Sequence, residues 1–184
     1  MDEQQMDEQQ LETLKYPIGR AQLPENILML DIEGWIEDVL KAPGDLRQAV
    51  DGLNAIQLDT PYRPGGWSVR QVVHHLPDSH MNTYLNFRIG MTENAPVLKS
   101  TNVDAWARVA DYATGDVEVS LKLFESVQER WSALMKTMDF EQFMRPVESP
   151  GRGARPLAVL LGIYAWHGKH HVAQIQALRQ RMGW

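Results

Sequence analysis

The sequence predicts an all-α fold, most simply a four-helix bundle with a long crossover connection between its second and third helices. Three observations predict it. Four long stretches carry apolar residues at helical spacing, clusters of proline and glycine separate them, and strand patterns are nearly absent. With 184 residues, 43% of them apolar and 23% charged, the chain has the make-up of one globular domain.

The elements follow in order. Residues 1–10 are the pentapeptide MDEQQ written twice. So little apolar content cannot offset the entropy of ordering, so residues 1–14 are expected to be a disordered acidic tail ahead of one domain over residues 15–184. Tyr16-Pro17-Ile18-Gly19 opens that domain as an extended or turn segment. The first helical pattern runs from about Glu25 to Leu53, through Ile27, Leu28, Ile32, Trp35, Ile36, Val39 and Leu40, with a kink or break expected at Pro43-Gly44. After a breaker-rich loop from Thr60 to Gly66, Ser68 stands where an N-cap belongs, ahead of a helix to about Met91. The stretch from Asn94 to Gly115 is longer than a bundle turn needs, and it is expected to cross one end of the bundle over any site there. The third pattern spans about Asp116 to Met138. A turn near Asp139–Met144 and a loop over Ser149–Gly153 lead to the last helix, from near Pro156 to near Gly183.

Charge and composition exclude several functions. Asp2, Glu3, Asp7, Glu8 and Glu12 supply five negative charges of the tail, leaving 18 basic against 19 acidic residues elsewhere. No basic stripe is available to neutralise phosphates, so nucleic acid is not an expected partner. No stretch reaches the roughly 18 apolar residues that span a bilayer, and the acidic N-terminus does not read as a signal peptide. Cysteine is absent, which removes disulfides and thiolate chemistry and fits a reducing compartment. A cytoplasmic protein is expected.

The histidines concentrate the chemistry. All six lie in two clusters: His74, His75 and His80 on the second long helix, His167, His170 and His171 on the fourth. His167 and His171 share an apolar stripe with Leu157, Leu160, Tyr164, Ile175, Leu178 and Met182, one turn apart, the spacing at which two imidazoles can share an ion. A lone histidine on such a face is more often a satisfied core residue, but a pair needs two partners. On the second helix, Val69, Val73, Leu76, Tyr84 and Phe87 mark the apolar face. His80 is near its centre, His75 is displaced by about 120° and His74 points nearly opposite. Pro77 falls between the candidates, so periodicity leaves the third ligand open.

Two segments then carry a resemblance: Trp67-Ser68-Val69-Arg70-Gln71-Val72-Val73-His74-His75-Leu76, and Ala165-Trp166-His167-Gly168-Lys169-His170-His171-Val172-Ala173-Gln174-Ile175. They resemble the two signature helices of the DinB-like superfamily, and more closely its YfiT-type metal-dependent hydrolases. Tyr16–Gly19, Leu58–Trp67 and Asp78–Asn82 are similar to further segments of that subgroup, so the likeness covers nearly everything after the tail. The resemblance implies a metal site of His75, His167 and His171, with Gln174 matching a glutamine usual after the second ligand of the last helix. It also implies a homodimer. Pro77 departs from the pattern, just beyond the implied ligand.

Three neutral imidazoles suit zinc first, and also nickel or iron, and leave a fourth position for water or a small-molecule substrate. The expected activity is a metal-dependent hydrolase. A metal-dependent low-molecular-weight-thiol S-transferase and a non-catalytic metal-binding bundle are the alternatives. Gly168 stands where HExxH would place a glutamate base, so His80 and Asp78 are the catalytic candidates, weighed against a core imidazole and a solvated carboxylate.

Overall fold

The computed structural model describes residues 7–184. The tail expectation for residues 1–6 lies outside the described residues. Its remainder is corrected: Glu8–Lys15 form a helix, α1, opened by a capping box in which Asp7 Oδ1 accepts the Gln10 N–H and Gln10 Oε1 accepts the Asp7 N–H. A reciprocal cap can start a helix in a sequence with almost no apolar content.

Four long helices form the body. The first, α2 (Met29–Val50), runs on through Pro43 as one helix, so of the expected kink or break the break does not occur. Proline removes one N–H, whereas Ile32, Ile36, Val39, Leu46 and Ala49 bury a continuous face along the whole length. That packing holds the helix together across the missing bond. A short α3 (Ala55–Leu58) precedes α4 (Val69–Thr92), which starts where its cap predicts: Ser68 Oγ accepts the Gln71 N–H and Gln71 Oε1 accepts the Ser68 N–H. Pro77 is likewise carried inside α4. The crossover holds α5 (Val103–Trp106) and α6 (Ala110–Thr114), and α7 (Val117–Met135) begins at the Asp116 cap.

After α8 (Phe140–Phe143), two strands that the sequence reading missed, β1 (Pro146–Ser149) and β2 (Gly153–Pro156), pair antiparallel with Val147 opposite Arg155. Four residues each, with proline at both outer ends, are too short to show alternation, and Gly151 and Gly153 take the positive φ that the turn requires. The last helix, α9 (Leu157–Met182), stops at Gly183 in the left-handed region. Met182, expected on its apolar stripe, is exposed.

Packing sets a topology that helix order alone does not. Helix α2 packs against α9 and α7, and α4 against α7 and α9, so the consecutive pairs α2/α4 and α7/α9 lie on the bundle diagonals. Two apolar clusters fill the interior. One gathers Leu46, Val69, Val73, Phe124, Ile175 and Leu178, and the other Ile32, Phe87, Trp131, Phe143, Leu157 and Leu161. On α9 the residues between the two clusters include His167, Gly168, His170 and His171, and on α7 they include Gln128. A polar layer therefore crosses the middle of the bundle. Among the described residues no helix is long and apolar enough to cross a membrane.

Candidate metal centre

Within the polar layer, His75 from α4 meets His167 and His171 from α9. One ligand nitrogen from each lies within 4.8 Å of the others. His167 Nε2 stands 3.2 Å from His75 Nε2 and 3.2 Å from His171 Nε2. Nitrogens at about 2.0–2.1 Å from a tetrahedral zinc ion would be separated by about 3.4 Å, so the spacing fits one small cation between them. A hydrogen-bonded core would not choose this arrangement, because one N–H on His167 can satisfy only one of two facing nitrogens. The neutral state that ligation requires is also favoured. Burial lowers the His75 pKa to about 4, and burial reinforced by the neighbouring His171 and His75 holds His167 well below its ordinary value. His171 is likewise held low by burial and then by His75.

The surroundings orient the rings. Gln174 Nε2 donates to the Lys15 carbonyl, which can only accept, so the orientation of this amide is determined. Gln174 Oε1 therefore faces His171 Nδ1 at 2.9 Å and accepts its N–H, leaving the His171 Nε2 lone pair directed at the cluster. The same Gln174 Nε2 reaches His170 Nε2 at 2.9 Å, and His170 stacks on Trp166 with ring centroids 4.4 Å apart. Trp67 lies against two of the three rings, 4.7 Å from His75 and stacked 6.2 Å from His171.

The other candidates fall elsewhere. His80 is fully buried behind the cluster, with Nε2 3.2 Å from His167 Nδ1 and Nδ1 2.9 Å from Gln128 Nε2. His74 turns away to Ser120 Oγ at 2.7 Å. Asp78 is not brought to the cluster, and its carboxylate accepts the Tyr112 hydroxyl of α6 at 2.6 Å. Pro77 does not keep His75 from the cluster. The sequence reading missed Gln128, whose signal was an amide on a stripe otherwise made of Leu121, Phe124, Trp131 and Met135.

Beside His171 opens a cavity of about 240 Å³ lined by Lys15, Tyr16, Arg63, Trp67 and Asp104 among others. Asp104 lies on α5, so the long crossover does reach the mouth of the site. Three imidazoles whose Nε2 atoms face one another, next to a cavity with both cationic and anionic walls, could hold a divalent ion in reach of a small polar molecule.

Known proteins resemble this chain over nearly its whole length. The DinB superfamily pattern matches residues 39–175. A Geobacillus kaustophilus protein named "Putative metal-dependent hydrolase GK0616" is 45% identical over 175 residues, covering 95% of this chain and 98% of the relative. A Bacillus cereus protein carrying the same functional name is 43% identical over 171 residues, covering 93% and 98%. Among solved structures, YfiT from Bacillus subtilis superimposes with a TM-score of 0.91 at 43% identity, covering 94% of this chain and 99% of that one. It is described as "a probable metal-dependent hydrolase with an unusual four-helix bundle topology".

Proposed function

The chain belongs to the DinB superfamily, and from that premise we propose that it is a hydrolase whose one divalent ion, zinc on donor grounds, is held by His75, His167 and His171. The observation that carries the reading is the convergence of three Nε2 atoms, one of them 3.2 Å from both others, from two helices that pack side by side. No fourth histidine or acidic group joins the cluster among the described residues. When bound, such an ion supplies a Lewis acid with a coordination position open to water or substrate.

The chain's own residues do the rest. Gln174 holds the His171 lone pair on the site, and Trp67 packs across two of the ligand rings. A substrate entering the cavity beside His171 meets Lys15 and Arg63, which suit an anionic or carbonyl-bearing group, with Asp104 on the same wall. In this reading His80 and Asp78 are not catalytic residues. His80 has both ring nitrogens engaged in the interior, and Asp78 is engaged by Tyr112.

The test is metal analysis of protein purified without a polyhistidine tag, expected to give about one ion per chain. His171→Ala should abolish retention and His74→Ala should not. Equal loss from both refutes the ligand set. A hydrolysis screen with small ester and amide substrates, run with and without a low-molecular-weight thiol, then fixes the reaction class. Turnover that requires the thiol refutes the hydrolase reading.

A further inference from the structure

The nitrogens behind His167 form a file: His167 Nδ1 to His80 Nε2 at 3.2 Å, then His80 Nδ1 to the Gln128 amide at 2.9 Å. All three side chains come from different long helices, α9, α4 and α7, and His80 and Gln128 are completely buried. A neutral imidazole carries one proton, so each bond in such a file fixes the direction of the next. With Gln128 Nε2 donating to His80 Nδ1, His80 carries its proton on Nε2 and donates to His167 Nδ1. His167 then carries its proton on Nε2, aimed at the Nε2 atoms of His75 and His171. That direction closes the site to a cation.

Ligation needs the opposite direction. The His167 Nε2 lone pair must be free, so its proton lies on Nδ1 and is donated to His80 Nε2. The His80 proton then lies on Nδ1 and needs an acceptor at Gln128. A half-turn of the amide supplies one by bringing Oε1 to face His80. Gln128 Oε1 has no partner in the present orientation, so the turn breaks no other bond of that oxygen. The two directions hold the same number of protons, one on each ring. The contrast is Gln174, whose amide is pinned by the Lys15 carbonyl and keeps His171 in its ligating form throughout.

We infer that His80 and Gln128 are positioning residues for the metal: a reversible hydrogen-bond file whose direction, set by the Gln128 amide, decides whether His167 offers a lone pair or a proton to the ion. The inference rests on the proposed metal site, and it adds that the file reverses on loading. The experiment uses the full chain, ¹⁵N-labelled, with long-range ¹H–¹⁵N correlation of the imidazoles before and after one equivalent of Zn²⁺. The His80 proton should move from Nε2 to Nδ1, and that of His167 from Nε2 to Nδ1. Unchanged tautomers in a protein that has taken up zinc overturn this inference and leave the metal site standing. No zinc uptake by the unsubstituted chain overturns both.

Variants give the second readout, zinc affinity by competition with a chromogenic chelator. Gln128→Leu removes the acceptor and should weaken binding by about 10–100-fold, the usual effect of losing such a partner. Gln128→Glu offers only acceptor oxygens when ionised and should stay within about threefold of the parent. Equal losses in both, or none in Gln128→Leu, refute the role. If either variant fails to fold, the tautomer measurement on the parent chain decides alone.

Discussion

Replacing Gly168 tests whether the polar layer is held by a close approach of two helices. Gly168 sits between the proposed ligands on α9, and a methyl group added there would meet Ala42 Cβ of α2 at 3.0 Å and His80 Cε1 at 3.9 Å. The second distance is ordinary contact. The first falls about 0.5–1 Å inside a relaxed carbon–carbon separation. Ala42 Cβ is fixed to the backbone of α2 and cannot rotate away, so relief requires the helices to part. Overpacking of this kind costs about 1–3 kcal/mol, and the better helix propensity of alanine returns about 1 kcal/mol. Gly168→Ala should therefore be destabilised by about 1 kcal/mol, which for a chain of this size lowers the melting temperature by about 2–4 °C. Ala42→Gly removes the opposing methyl group. In Gly168→Ala the second change should recover stability, giving a coupling of about 1–3 kcal/mol in a double-mutant cycle. The assay is urea denaturation of the four proteins, metal-free. A Gly168→Ala protein as stable as its parent, with the two changes simply adding, would show that α2 and α9 are not in contact here.

Three further outcomes are expected. Saturating zinc at about a thousand times its dissociation constant should stabilise the protein by about 4 kcal/mol, read as a rise in melting temperature that a chelator reverses; no shift counts against the metal. Gln174→Leu takes the acceptor from His171 Nδ1 and donors from Lys15 and His170, and should weaken zinc binding about 10–100-fold; unchanged affinity would refute the orienting role. In metal-free protein, burial lowers the pKa of His75 to about 4 and of His80 to about 3, so the unfolded chain takes up protons below about pH 6.5 that the folded one refuses. Stability is then full above that pH and lost as the pH falls, by about 2 kcal/mol per histidine at pH 5; urea midpoints that do not change between pH 7.5 and 5 would contradict neutral buried rings.

How much was legible depended on what each residue's role required. The long helices were legible because a stripe of apolar residues repeats over many turns, and the cap at Ser68 is local chemistry. Pro43 does not end α2, because a helix buried along its length tolerates one missing bond. The hairpin was invisible because its strands are four residues long, too short to show alternation, with proline at both outer ends. On α4, periodicity placed His80 at the centre of the apolar face, and the family likeness chose His75 instead. Both are buried, because α4 packs between α7 and α9 and has more than one interior face. His75 faces the ligands of α9, while His80 stands one layer behind them.

By itself, the sequence determined the helical class, the pairing of His167 with His171 one turn apart, and the likeness that added His75. These depend on spacing along one chain and on motif order, which linear information carries. The diagonal arrangement of consecutive helices, the nitrogen chosen by each ring and the amides of Gln128 and Gln174 behind them were decided only by tertiary structure. A hydrogen bond between residues 48 positions apart has no periodicity to announce it, and its direction depends on partners that meet only once the core has closed.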